Sequence, residues 1–471
     1  MIPERPFQYV PATITGSMPN SFVAIKYENN TKHPMLWKRT RFDGLTTNRY
    51  PDRTLYTGAS LQRTSSISNI EYDEIMLTGL STQCESLKTA GFRYGMASPH
   101  HTSAAAETRR NKHIKLFSDS GGFQLLSGAV EFIDPIELAE YYNRSIDYGV
   151  GLDIPVFGHN DMLMRMIEVM LKNNRLIRKH LKPEVSLYDV SHGSTLKTRQ
   201  EFLERLLKEK DLGDALAVGG IAQNYKDGGQ PTTIISGTIN MMYTLLRSKG
   251  TFKRYHILGT TSSFFQALYW LIQEYGAAPH ITADSTSYIL PAANNLTVTN
   301  RMTGDCRLVS TEVPKDIRPY SLQCACPVCN MVKYPLAYVH YAHINSYHNL
   351  FTINENYKLI ETMCREFLDG KISMRVLAEA VGGPKQAILP VMEAAFKFGM
   401  HAAKKGFKDA YEKHSPMLKH LVRGKVQSGS LFSRTQEVQL NETQQKTRQR
   451  LDTVLTKYED YHKGKKKKSE K

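Results

Sequence analysis

The feature that most constrains the fold is a pattern repeated six times in the first 300 residues. A short apolar or β-branched run is followed by a Gly, Asp, Ser or Thr cluster, then by a stretch of helical period. The units are IKLFSDSGGFQ (114–124), YGVGLDIPV (148–156), SLYDVSHGS (186–194), ALAVGGIA (215–222), YHILGTTSS (255–263) and HITADSTSY (280–288). Serial strand-then-helix units predict a parallel sheet. The spacing predicts helices over 135–148, 161–180, 196–209, 233–248 and 262–275. Polar residues end nearly every strand, which fits an eight-stranded βα barrel better than an open doubly wound sheet with one switch point. A chain of 471 residues with 41% hydrophobic content can bury a core of that size.

In a barrel those strand ends converge on one pocket, and three of them carry carboxylates: Asp119, Asp153 and Asp284. A single Asp after a strand is ordinarily a turn or helix-capping residue. Three at the ends of separate strands form a candidate site. Two carboxylates can divide glycosyl transfer, one attacking the anomeric carbon and one serving the leaving group as acid and base. The third can hold a donor-rich ligand. Gly121-Gly122 and Gly219-Gly220 let backbone approach a flat ligand, and Phe123 offers a face for a base, although core packing is its plainer reading.

The six cysteines are too few for a disulfide framework. Cys84, Cys306 and Cys364 stand apart, whereas Cys324, Cys326 and Cys329 form C-x-C-x2-C. Three thiolates at this spacing predict a tetrahedral zinc site, with His340, His343 or His348 returning as the fourth ligand. A closed Cys3His set is structural rather than catalytic.

The formal charge is +16, and residues 376–471 hold 20 Lys/Arg against 10 Asp/Glu. The excess predicts a polyanionic partner. No run of 18 apolar residues exists and the opening MIPERP does not begin a secretory signal, so a soluble cytoplasmic protein without a membrane partner is expected. Pro390 divides the C-terminal helical pattern into a piece ending near Ile388 and a second over 391–413. The second places Met392, Ala395, Phe396 and Met400 on one face, with Lys397, Lys404, Lys405 and Lys408 elsewhere. A linker around Gln427–Ser430, a polar helix and a disordered Lys463–Lys468 tail complete the chain. The tail reads equally as a solvated end or an auxiliary nucleic-acid contact.

Several of these motifs, in order, resemble the tRNA-guanine transglycosylase superfamily: DSGGFQ at 119–124, GGIA at 219–222, ILG at 257–259, Asp284, and the C-x-C-x2-C followed by His-Asn-Leu. The resemblance spans roughly residues 90–370. It implies a (βα)8 TIM barrel with a structural zinc subdomain, and exchange of guanine for a 7-deazaguanine. Asp284 is then the nucleophile and Asp119 the general acid/base. Asp153 recognises the guanine edge, Phe123 stacks on the base, Gly220 donates its N–H to the O6 side with Gly219 beside it, and Leu258 lines the pocket. His192 stands where the family has Gln. Cys324, Cys326, Cys329 and His348 are the implied ligands of a structural Zn2+. The implied division is a barrel with N-terminal elaboration over 1–318, a zinc subdomain over 319–350, the last barrel helix over 351–375, a basic helical extension over 376–462 and the tail over 463–471.

The departures from the family pattern point to a branch. The tRNA enzymes follow the nucleophile with an Arg-bearing segment that grips the anticodon loop. Here STSYILPAANN follows Asp284, with no Arg until Arg301. In this the chain is most similar to the DpdA-type DNA-guanine transglycosylases of bacteria and phages. That similarity implies DNA and a 7-deazaguanine base such as preQ0 as partners, a bacterial cytoplasm that a phage gene can supply, and room for a homodimer. The alternatives are a tRNA-guanine transglycosylase and a non-catalytic nucleic-acid-binding subunit.

Overall fold

The computed structural model describes residues 7–11, 23–25, 74–76, 92–97, 99, 114–155, 160–221, 225–285, 296–298, 306–308, 342–382, 386–423 and 442–469. The chain is α/β. Eight parallel strands form one sheet: β1 (Phe7–Pro11), β2 (Tyr94–Ala97), β3 (Lys115–Ser118), β4 (Tyr148–Val150), β5 (Ser186–Ser191), β6 (Ala215–Val218), β7 (Arg254–Ile257) and β8 (Ile281–Ser285). Ladders join β2 through β8 in sequence order, and β8 pairs with β1 with Phe7 opposite Ile281. The edge strands β1 and β2 adjoin each other, so the sheet is a nearly closed barrel. All six strands read from the sequence are present, and β1 and β2 complete the eight.

The interior follows the twofold alternation of the strands. Phe117 on β3, Tyr188 on β5 and His256 on β7 meet across the lumen, with ring centroids 5.4 Å (Phe117–Tyr188), 4.9 Å (Phe117–His256) and 6.2 Å (Tyr188–His256) apart. A layer drawn from alternate strands is how such barrels fill their centre. Tyr188 faces Ala215 and His256 faces Ala217 in the ladders, so the small residues of β6 leave room for these rings.

Helices alternate with the strands: α1 (Gly122–Ser127), α2 (Pro135–Ser145), α3 (Leu163–His180), α4 (Leu196–Leu206), α5 (Tyr225–Arg247) and α6 (Ser263–Glu274). Their starts are written in the sequence. Asp134 accepts the Ile136 N–H ahead of Pro135, and Thr195 and Thr198 form a reciprocal capping pair before α4.

Beyond the barrel lie α7 (Ala342–Leu368), α8 (Met374–Gly382), α9 (Leu389–Lys405), α10 (Phe407–Arg423) and α11 (Glu442–Ser469). The sequence-predicted helix over 391–413 is two helices, broken at Gly406, whose φ of 97° few other residues adopt. The division expected at Pro390 is present: one piece ends at Ile388 and α9 starts at Leu389, with the missing N–H of Pro390 falling in the unpaired first turn. The predicted apolar face of α9 is buried: Phe396 is fully enclosed and its ring centre lies 4.7 Å from that of Phe264 on α6. Burial of such a ring contributes about 2–3 kcal/mol. Lys397, Lys404 and Lys405 face out, Lys404 over the Tyr275 ring at 4.0 Å.

Helix α11 runs through Lys463–Lys468 to Ser469, so the lysine run is helical where the sequence predicted disorder. Lysine is a good helix former, and positive charge is favoured at a helix C-terminus. Helix α11 is also ion-paired to the barrel. Arg165 of α3 reaches Asp452 at 2.6 Å and Glu459 at 2.9 Å, and Arg448 reaches Asp161 at 2.6 Å. Among the described residues no helix is long and apolar enough to cross a membrane.

Candidate active site

The ends of β3 to β8 place the candidate residues at one end of the barrel. Alternation carries the inward face upward from the aromatic layer: Thr282 leads to Asp284 on β8, and His256 to Leu258 after β7. The ladders align Thr282 with His256 and Val218 with Ile257, and Leu258 donates its N–H to the Val218 carbonyl at 3.1 Å.

Asp284 is half-buried, and its Oδ1 accepts the Gly259 N–H at 2.8 Å. His256 Nε2 lies 3.2 Å from the same oxygen. Gly259 has φ 67°, the left-handed turn that brings its amide to the carboxylate. A carboxylate held by a backbone donor, with a buried imidazole beside it, is aimed, which a nucleophile or a general base requires.

Asp119 continues the β3 ladder by donating its N–H to Ala97 at 3.2 Å. Its carbonyl accepts the Ser118 hydroxyl at 2.9 Å and the Tyr142 hydroxyl at 3.1 Å. The same phenol oxygen lies 2.7 Å from the Val150 carbonyl on β4, so its single proton is shared between the two strand ends. Burial first, then the Asp119 charge, push the Tyr142 phenol well above its ordinary pKa, so it stays a donor.

Asp153 lies beyond β4 and donates its N–H to Ser120 Oγ at 2.9 Å. Helix α1 begins against this segment: a Cβ at Gly122 would stand 1.3 Å from the Asp153 carbonyl oxygen, so only glycine fits. Phe123, the next residue, is 64% exposed.

The Asp153 carboxylate bonds His192 Nε2. The imidazole is buried and lies over Gly219, where a Cβ would come within 2.2 Å of the ring. The Asp153–His192 pair was not legible in the sequence, which predicted the two residues only as separate contacts. Gly220 follows at φ 76°.

Behind these two strand ends is a residue that sequence reasoning missed. Arg199 on α4 is fully buried, and its guanidinium donates to the carbonyls of Ser191 at 2.7 Å, Gly193 at 2.7 Å and Gly219. Burial pushes it down to about 9, against the attraction of Asp153, and it remains cationic at neutral pH. An Arg within an amphipathic helix ordinarily reads as solvated, so periodicity carried no signal for it. His256 was missed for a similar reason: on a strand of mixed character its inward register shows only once Thr282 is placed opposite.

No protein-family model matches the chain, and no curated protein is similar to it at a significant level. The site therefore rests on its residues and geometry.

Of the implied zinc ligands, Cys324, Cys326 and Cys329 lie outside the described residues. His348 sits in α7, buried, with Nε2 3.4 Å from the Thr352 hydroxyl. Among the described residues no group of three or more His, Cys, Asp or Glu side chains could hold a metal.

A cavity of about 570 Å3 opens at the opposite, N-terminal ends of the strands. Three of its cations are already neutralised: Lys115 by Asp147 at 2.9 Å, Arg178 by Asp189 at 2.6 Å and Arg254 by Asp214 at 2.5 Å. It contains none of the candidate residues.

Proposed function

We propose that the chain is a guanine transglycosylase that exchanges guanine in DNA for a 7-deazaguanine such as preQ0. The observation that carries this reading is the placement of Asp119, Asp153 and Asp284 at the ends of β3, β4 and β8, at one end of one nearly closed barrel, with Asp284 held by the Gly259 N–H and lying beside His256.

In this reading Asp284 attacks C1′ of the target nucleotide as the C1′–N9 bond breaks, and Asp119 gives its proton to the departing guanine. The incoming deazaguanine loses its N9 proton to Asp119 and attacks C1′, expelling the Asp284 carboxylate. Two inversions leave the configuration retained. Asp153 and His192 read the edge of the base, Gly219 and Gly220 its O6 side, Leu258 lines the pocket and Phe123 stacks on it. Zinc held by Cys324, Cys326, Cys329 and His348 serves structure and takes no part in the exchange.

DNA is favoured over tRNA because no Arg follows Asp284 before Arg301, which removes the cationic grip that single-stranded loop recognition uses. A guanine in a duplex must be flipped into the pocket, which costs a few kcal/mol recovered from pocket and phosphate contacts. The decisive experiment incubates the protein with labelled guanine and either duplex DNA or tRNA. Label entering DNA supports the proposal. Label entering tRNA alone replaces it with the tRNA reading, and binding without exchange into either leaves the non-catalytic one.

A further inference from the structure

Arg199 is a cation with no accessible surface and no carboxylate among its hydrogen-bond partners. All three partners are backbone carbonyls, at Ser191, Gly193 and Gly219, drawn from the ends of two neighbouring strands. A buried charge is tolerated only where it is well solvated by the protein, and here main-chain dipoles take that role. Desolvating a guanidinium merely to link two loops is a poor trade, since apolar packing would join β5 to β6 as firmly. What apolar packing could not do is fix the rotation of individual peptide planes.

The planes matter because a trans peptide holds its C=O and N–H antiparallel, and the described chain has no cis bond. With the Gly219 carbonyl turned to Arg199, the Gly220 N–H is turned away from it, toward the β7 side, where Leu258 and Gly259 stand. The surroundings lock this arrangement. A Cβ at Gly220 would lie 3.1 Å from the Gly193 oxygen and 3.3 Å from Arg199 Nη2, and one at Gly193 would lie 2.5 Å from the Arg199 amide nitrogen. A carbonyl bonded to a cation also polarises its peptide, which makes the N–H across the same bond a stronger donor.

We infer that Arg199 is a positioning residue for base selection: it holds and polarises the 219–220 peptide so that the Gly220 N–H meets an acceptor oxygen on the bound base. The inference rests on the base-exchange reading, and concerns how the pocket tells a 6-oxopurine from a purine without that oxygen.

The test uses the full chain and two bases, guanine and 2-aminopurine, which differ in the 6-oxygen and in the N1 proton that accompanies it. Binding of 2-aminopurine is followed by its fluorescence, and guanine by competition. The wild type should prefer guanine by about 10- to 100-fold, the range expected when a placed donor loses its acceptor. Arg199→Met should lower the preference by about tenfold while 2-aminopurine affinity stays nearly constant, the remainder being the N1–H contact to Asp153. Arg199→Lys keeps the charge but cannot span three carbonyls, and should fall between; if the Met variant does not fold, the Lys variant decides. A folded variant that retains the wild-type preference, or one that weakens both bases equally, overturns the inference and leaves the exchange reading standing. A wild type that binds neither base overturns both.

Discussion

His256 stands between two residues of β8, with Nδ1 2.8 Å from the Thr282 hydroxyl and Nε2 3.2 Å from Asp284 Oδ1. The ring is fully buried and stacked on Phe117, so it cannot turn away from the carboxylate. Asp284→Asn should abolish base exchange and any covalent adduct with DNA, with the fold intact by circular dichroism. His256→Leu should lower kcat about 10- to 100-fold with a smaller effect on KM, the loss typical of a group that acts through another. His256→Gln, which keeps a donor, should lose less. Equal losses in the two His256 variants would reduce the imidazole to a packing residue.

Gly122 admits no side chain, because Asp153 occupies the space where its Cβ would go. Gly122→Ala must move α1 away from the β4 end. Overpacking of this kind costs about 1–3 kcal/mol. The expected result is a lower denaturant midpoint with an unchanged m value, together with a loss of exchange. Wild-type stability in this variant would contradict the close approach.

The brace between α11 and the α1 region consists of a few identifiable contacts. Arg450 donates to the carbonyls of Leu125 at 3.0 Å and Val130 at 2.9 Å, and the Tyr458 hydroxyl donates to Ile133 at 3.0 Å. Tyr458→Phe should cost about 0.5–1.5 kcal/mol, and Arg450→Met, which removes the guanidinium from the Val130 carbonyl and leaves Leu125 only the Gly128 N–H, about 1–3 kcal/mol. Hydrogen exchange should locate the effect: amides of α1 should open faster in Arg450→Met while those of α9 stay as they were.

The joint of α9 and α10 holds a pair of histidines, with His401 Nδ1 2.9 Å from His414 Nε2 and His401 Nε2 2.7 Å from Asp409 Oδ2. Burial, then the charges of His401, Lys413 and Lys397, push His414 below the ordinary histidine value, with Asp409 opposing. A histidine depressed in the folded state favours folding above its unfolded value of 6.5, and that contribution is lost as pH falls through the lower folded value. The melting temperature should thus be flat above about pH 6.5 and decline on acidification. His414→Gln should reduce the decline, and an unchanged profile in that variant would remove His414 as its source.

Metal analysis of the purified chain should return one zinc, and Cys326→Ser should lower that stoichiometry together with stability rather than kcat alone. A folded protein without zinc would contradict the ligand set.

Much of the barrel was legible because strand–turn–helix punctuation is local. All six strands read from the sequence are present, and α3 and α6 begin and end within two residues of their predicted bounds. The prediction erred where chain position changes what a residue costs. Helix α5 begins at Tyr225, eight residues before its predicted start, and runs through a Gly-Gly-Gln-Pro segment that reads as a loop. Pro390 marked the start of α9 correctly, whereas Gly406, unremarked in the sequence, makes a second break. At the site, the three aspartates and the glycine pairs were visible as strand-end chemistry. Arg199 and His256 were not, because their roles come from partners on other strands that no local pattern links to them.

The docking of α11 on α1 also orders events in time. Arg450 is 325 residues beyond Leu125, the carbonyl it bonds. A ribosome adding 5–20 residues per second needs roughly 15 to 65 s to make that stretch. During synthesis the segment bearing Gly122 and Phe123 must wait without its brace, and the rim of the pocket becomes firm only after the barrel strands have been made. Nascent chains stalled before residue 442 are therefore expected to hold the nearly closed sheet and a loose rim, a state in which the barrel is folded but its rim is not yet braced.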